Sequence, residues 1–181
     1  MRSTIPQLEL VSPSRDWLAE YAAALETGWS PSTSHDVSAE QLAEMRADPD
    51  AFLASFVWSP GATVTLADGS RVPRLPGPTF WIRDGEFCGS INFRYVPGSE
   101  DLPPYVSGHV GYAIVPWKRG RGYATRALEL LLPIARDQGL PRLLATCDED
   151  NIASRRVIEK CGGVDAGRQG QKLCFWLATA A

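Results

Sequence analysis

The sequence predicts one α/β domain built on a mixed sheet, and three observations carry that prediction. The first is size and composition. The chain has 181 residues, 44% hydrophobic and 22% charged, which suits one globular domain rather than a disordered chain. The second is the order of segments: two helical stretches, three strands, then helix, strand, helix and strand, a layered arrangement of helices on a sheet. The third is one long apolar-periodic helix carrying Ala124, Leu128, Leu131, Leu132 and Ala135, stopped by Gly139.

The elements follow in order. Ser14 is placed to cap a helix from about Arg15 to Glu26, with Trp17, Leu18, Tyr21 and Leu25 at helical spacing. Ser38 opens a second helix with Leu42 and Met45 on one side, and Asp48-Pro49 restarts a helical turn through Phe52, Leu53 and Phe56. The proline-rich stretch Ser59–Pro78 holds a short hairpin, Ala62–Leu66 with Arg71–Pro73, around Asp68-Gly69. Thr79–Arg83 and Glu86–Tyr95 flank Asp84-Gly85, a strong hairpin signal. His109–Val115 reads as a strand ended by Pro116. Pro133 inside the long helix is expected to kink it or remove one hydrogen bond. Arg142–Cys147 is a short strand, Asn151–Cys161 a helix ended by Gly162-Gly163, and Leu173–Thr179 a last strand.

Composition excludes several classes of function. Eighteen basic against 21 acidic residues leave a net charge of −3, which opposes nucleic acid as the main partner. Cys88, Cys147, Cys161 and Cys174 form no CxxC pair and only two His are present, so no structural metal is expected and the thiols read as reduced, in a cytoplasmic protein. Met1–Asp16 lacks an apolar core and does not read as a signal peptide, and no apolar run approaches the ~20 residues needed to span a bilayer.

The chemistry concentrates between Gly108 and Gly163. A strand ends at Pro116, and Trp117-Lys118-Arg119-Gly120-Arg121-Gly122-Tyr123-Ala124-Thr125 leads directly into the long helix. Glycines admit close approach of a ligand to the backbone. A helix start presents unpaired N–H groups and a positive dipole end. Lys118, Arg119 and Arg121 add charge, so the turn suits a pyrophosphate. A GxxxxGK[ST] loop is absent, and Gly120-Arg121-Gly122 does not continue as GxGxxG.

Arg119-x-x-Gly122-x-Ala124 matches the R/Q-x-x-G-x-G/A pattern of the GNAT superfamily of acyl-CoA-dependent N-acetyltransferases, and Asn151-Ile152-Ala153-Ser154 through Glu159-Lys160-Cys161-Gly162 resembles the N-x-x-S-x-x-v-i-E-K-x-G signature of that superfamily's next helix. The resemblance covers about residues 79–177, and residues 1–181 are taken as a single domain. It implies a mostly antiparallel sheet of about six to seven strands, splayed between the fourth and fifth. It implies acetyl-CoA as co-substrate with no metal. Main-chain groups of Ile114 and Val115 would pair with the pantetheine arm. Amides of Gly120, Arg121, Gly122, Tyr123, Ala124 and Thr125 would hold the pyrophosphate, with Arg119 and Arg121 toward the phosphates and Asn151 on the arm. Gly111 lies where the superfamily often has a bulge.

The chain departs from the superfamily at the proton donor for the leaving sulfur. The tyrosine expected seven residues after Asn151 is replaced by Ile158, which leaves Ser154, one turn after Asn151, as the available hydroxyl. His109 is the candidate base, with Glu86, Glu100, Asp101 and Asp148 as other acids near the site, and Cys147 reads as a packed thiol. The expected function is acetyl transfer to a primary amine of a small molecule or peptide in the cytoplasm, with no nucleic-acid or membrane partner. A homodimer is suggested by analogy alone. The alternative is a non-catalytic acyl-CoA sensor.

Overall fold

The computed structural model describes residues 7–66 and 68–180. The end of the N-terminal stretch Met1–Asp16 that precedes Gln7 lies outside them. A short strand β1 (Glu9–Val11) enters a 3-10 turn (Arg15–Trp17) that continues as α1 (Leu18–Glu26). Ser14 is extended and makes no side-chain cap; its carbonyl instead accepts from the Trp17 amide at 3.3 Å. Next come α2 (Ser38–Ala47) and α3 (Pro49–Ala54), which Asp48 caps by accepting from the amides of Asp50 and Ala51. The hairpin β2 (Thr63–Thr65) and β3 (Arg71–Pro73) stands apart from the main sheets. Then follow β4 (Thr79–Arg83), β5 (Phe87–Phe93), β6 (Val110–Ile114), α4 (Tyr123–Asp137), β7 (Arg142–Asp148), α5 (Ile152–Lys160), β8 (Val164–Gln169) and β9 (Lys172–Ala178).

The strands form two antiparallel sheets, β1-β4-β5-β6 and β7-β9-β8, seven strands in all. Two strands, β1 and β8, have no counterpart in the sequence reading. β1 is three residues long, and every residue of β8 is exposed, so neither carries an apolar pattern. α4 runs unbroken through Pro133.

Helices cover both faces. On one face α4 buries Ala127, Leu128, Leu131 and Ala135 against Ile82, Ile91, Phe93, Leu143 and Leu177, drawing on strands of both sheets, and Ile158 of α5 joins them. On the other, Tyr21, Leu25, Trp29 and Phe52 from the N-terminal helices and their connection enclose Trp81 and Phe87. There the Tyr21 ring stacks on Trp81 at 4.6 Å, and Phe87 meets Tyr21 edge-on at 5.4 Å.

β6 and β7 are the facing edges of the two sheets, and no ladder joins them. They meet at one place. The His109 amide donates to the Leu144 carbonyl at 2.7 Å, and the Leu144 amide donates to His109 Nδ1 at 2.9 Å. Beyond that crotch no ladder joins the two edges, in line with the splay expected between the superfamily's fourth and fifth strands.

A buried ion pair fixes the far end of the gap. Lys118 Nζ lies 2.9 Å from Asp84 Oδ2, with side chains 10% and 5% exposed, and 3.0 Å from the outlying Glu86 Oε2. The Tyr123 hydroxyl also donates to Asp84. The β4–β5 turn is thereby bolted to the segment that opens α4. Burial alone would raise the Asp84 pKa, but hydrogen bonds from Tyr123 and Lys118 outweigh it and hold the carboxyl well below the usual range. We expect Asp84→Asn to lower the unfolding free energy by about 3 kcal/mol in urea titration, because it removes the buried partner of the Lys118 ammonium and leaves only the exposed Glu86 carboxylate to balance it. Since the folded pKa is the depressed one, this contribution is complete above the unfolded value of 3.8 and is lost only as pH falls through lower values.

Candidate active site

The glycine turn has the geometry that an anion cradle requires. Gly122 stands at the N-cap of α4 with φ 84°, a left-handed conformation, and no side chain caps the helix. The first helical bond runs from the Arg126 amide to the Gly122 carbonyl, so the amides of Tyr123, Ala124 and Thr125 have no helical partner. Gly120 is also left-handed at φ 73°, and a Cβ built on it meets nothing within 4 Å. The turn therefore opens outward with unpaired N–H groups, and these residues fit a pyrophosphate.

The flanking cations divide. Arg121 is exposed and makes no ion pair among the described residues. Arg119 is also exposed, but its Nε donates to the Ile114 carbonyl at 3.0 Å, which leaves its terminal nitrogens free of that bond. Lys118 is not available to a ligand: it is spent on Asp84 and Glu86. The Tyr123 hydroxyl is likewise committed to Asp84, so only its amide can serve the turn.

β6 supplies the edge. Its ladder to β5 pairs Gly89 with Ile114 and Asn92 with Gly111, and the Val115 amide donates to the Cys88 carbonyl at 3.0 Å. Alternation along an antiparallel ladder then turns the main-chain groups of Tyr112 and Ile114 away from β5, toward the gap. Ile114 keeps its amide facing the gap while Arg119 takes its carbonyl. Val115 corrects the expectation for it. Its amide is bound to Cys88 and its carbonyl accepts from Lys118, so it offers the arm no main-chain group. Nor does β6 bulge at Gly111, where the register is regular; the irregularity falls at His109, whose carbonyl pairs with β5 while its amide pairs with β7.

Across the gap, α5 presents its first turn. The Asn151 side chain caps the helix, its Oδ1 accepting from the Ser154 amide at 3.0 Å, which leaves the side-chain NH2 to donate elsewhere. Ser154 Oγ lies 2.7 Å from the Tyr112 hydroxyl. This phenol was not singled out in the sequence. The signal was its parity with Val110 and Ile114, which puts all three side chains on the α4 face of β6. Burial pushes the Tyr112 pKa up to about 12, against a smaller opposing pull from Ser154, so the phenol stays protonated through the ordinary pH range.

His109 does not suit the role of base. It is fully buried at the crotch, and its Nδ1 already accepts the Leu144 amide. Burial, reinforced by the charge of Arg94, pulls its pKa down to about 4. It is a neutral structural imidazole that pins two sheets together. Three of the candidate acids are held by cations, Glu86 by Lys118, Glu100 by Arg142 at 2.9 Å and Asp148 by Lys172 at 2.8 Å, while Asp101 is exposed and makes no ion pair among the described residues. Cys147 is buried and its thiol pKa is raised by that burial, which makes a poor nucleophile. Among the described residues no cluster of His, Cys, Asp and Glu could hold a metal, and no helix is long and apolar enough to cross a membrane. Two clefts, of about 410 Å³ beside Phe56, Trp58 and Pro76 and about 200 Å³ beside Val96 and Pro141, lie away from the Tyr112–Ser154 pair.

Comparison with known proteins agrees with this geometry. Three solved structures share the fold, all at low identity. One is the microcin C7 self-immunity acetyltransferase MccE in complex with acetyl-CoA and AMP (12% identity, 96% of this chain and 93% of that one, TM-score 0.60). The second is the Salmonella typhimurium acetyltransferase that modifies the N-terminal serine of ribosomal protein L7/L12 (14%, 94% of each chain, 0.61). The third is the Vibrio cholerae spermidine N-acetyltransferase in complex with CoA and spermine (12%, 96% of each chain, 0.59). No curated protein matches the sequence. The sequence model of the acetyltransferase (GNAT) domain matches residues 30–164, a span that holds the glycine turn, β6, α4, β7 and α5. The chain belongs to the GNAT acetyltransferase family, whose co-substrate is acetyl-CoA.

Proposed function

We propose that this chain transfers an acetyl group to a primary amine of a small molecule or peptide by direct attack on the thioester. The observation that carries the reading is the Tyr112–Ser154 hydroxyl pair, 2.7 Å apart, set between the β6 edge and the capped start of α5. Acetyl-CoA, when bound, supplies the activated acyl carbon. The chain's own residues do the rest. The amides of Gly120 through Thr125 and the Arg119 and Arg121 side chains bind phosphate oxygens. Asn151 and the gap-facing groups of Tyr112 and Ile114 orient the arm as an added strand would. A gap-facing amide donates to the carbonyl oxygen as that oxygen gains charge. Ser154 holds a proton where the departing sulfur gains charge, and Tyr112, protonated up to about pH 12, backs it. In this reading neither His109, the paired acids nor the exposed Asp101 abstracts the amine's proton, and the attacking amine is the fraction already neutral in solution.

Calorimetric titration with acetyl-CoA, followed by thiol release with a panel of amines, tests this. Saturable binding with amine-dependent thiol release supports the enzyme. Saturable binding without turnover on any amine would turn the reading to the acyl-CoA sensor. The pH dependence is a sharper check. Below the amine's own pKa, near ~10.4 for a lysine-like acceptor, kcat/KM should rise about tenfold per pH unit from pH 6 to 9. A plateau with a midpoint near 6.5 would reveal a histidine base and overturn the structural role of His109.

A further inference from the structure

Arg94 is a charge the reaction above does not use. It follows Phe93 at the end of β5, and its own amide donates to the His109 carbonyl at the crotch. Its Nε donates to the Gly108 carbonyl at 3.0 Å and its Nη1 to Asn92 Oδ1 at 3.2 Å. The remaining terminal nitrogen has no hydrogen-bond partner, and among the described residues no carboxylate lies within ion-pair distance. Arg83, at the other end of the β4–β5 ladder, is by contrast balanced by Glu20 at 2.9 Å. Glu100, whose charge reaches His109, is already taken by Arg142. A guanidinium that is fixed, largely desolvated and unbalanced is a receptor for an anion rather than a stabilising pair. Burial lowers its pKa, the mark of a charge short of compensation.

Position says which anion. Asn92 pairs in register with Gly111 of β6, one residue before Tyr112. A Cβ added at Gly111 would lie 3.5 Å from both Arg94 Nη1 and Asn92 Oδ1, so the missing side chain leaves the guanidinium uncovered on the face away from α4. That places Arg94 by the His109–Leu144 crotch, one residue along β6 from Tyr112 but on the opposite face of the strand, and at the end away from the glycine turn. Phosphates of the co-substrate therefore belong to the other end, and the anion here is the acceptor's.

We propose that Arg94 selects acceptors whose amine carries a carboxylate a few bonds away, as amino acids do, which rests on the acetyl-transfer reading above. Polyamines, lacking the anion, are then poor substrates.

The test uses product analogues. Protein saturated with CoA is titrated calorimetrically with N-acetylglycine and N-acetyl-β-alanine, and with the primary amide of each, in wild type, Arg94→Gln and Arg94→Lys. At least one carboxylate should bind about 10-fold or more tighter than its amide, the preference should vanish in R94Q, and R94K should keep part of it. The wild-type comparison needs no variant, so a misfolded R94Q leaves the proposal testable. Equal binding of acids and amides, binding of neither, or a preference that survives in R94Q would overturn it. Failure to bind CoA at all would instead defeat the acetyl-transfer reading.

Discussion

Gly122→Val should weaken acetyl-CoA binding by roughly 100-fold, equivalent to about 2.8 kcal/mol. Two effects act together. A valine at φ 84° is held in a conformation that costs an ordinary L-residue about 1–2 kcal/mol and a β-branched one more. It also adds bulk at the residue directly before the unpaired amides that open α4, where phosphate oxygens must come within hydrogen-bond distance. Gly139→Val separates the two. That glycine has φ 85° at the other end of the same helix, where nothing is to be bound. It should lose a similar amount of stability and keep its affinity. Calorimetry on both variants, with thermal unfolding alongside, reads the difference. Wild-type affinity in folded Gly122→Val would remove the cofactor turn from Gly122.

Ser154→Ala and Tyr112→Phe form the second large effect. Each should lower kcat by about 100-fold with little change in the KM for acetyl-CoA, the low end of the range for loss of a general acid. The double variant should fall little further than the worse single one, because hydroxyls 2.7 Å apart act as one unit. Additive losses would mean that the two act separately. Full rates in both, with chemistry limiting, would leave the leaving sulfur without a donor from this chain.

The parts of this molecule legible in the sequence are those whose information is local. The glycine turn needs only a strand end, two glycines and a helix start. α4 announces itself through Leu128 and Leu131 at helical spacing, both fully buried. The parts that were not legible depend on distant partners. Lys118 reads as a phosphate cation because Asp84, which neutralises it, lies 34 residues earlier. Tyr112 reads as an ordinary strand residue because Ser154 is 42 residues away. His109 looked like a titrating base for the same reason: its Leu144 partner and its burial arise only when two sheets meet. β8 escaped notice on different grounds. With all its residues in solvent and Gly167 within it, no alternation selects one face.

The meeting of the sheets at His109 and Leu144 has a consequence for how the chain holds together. Each half carries its own complete ladder, and among the described residues β6 and β7 are joined by one main-chain hydrogen bond and one from the Leu144 amide to the His109 ring, with α4 as the shared wall. On the acetyl-transfer reading proposed above, a bound arm would supply the missing interior strand, and cohesion between the halves would be partly borrowed from the co-substrate: two blocks on a common beam when empty, one continuous plate when loaded.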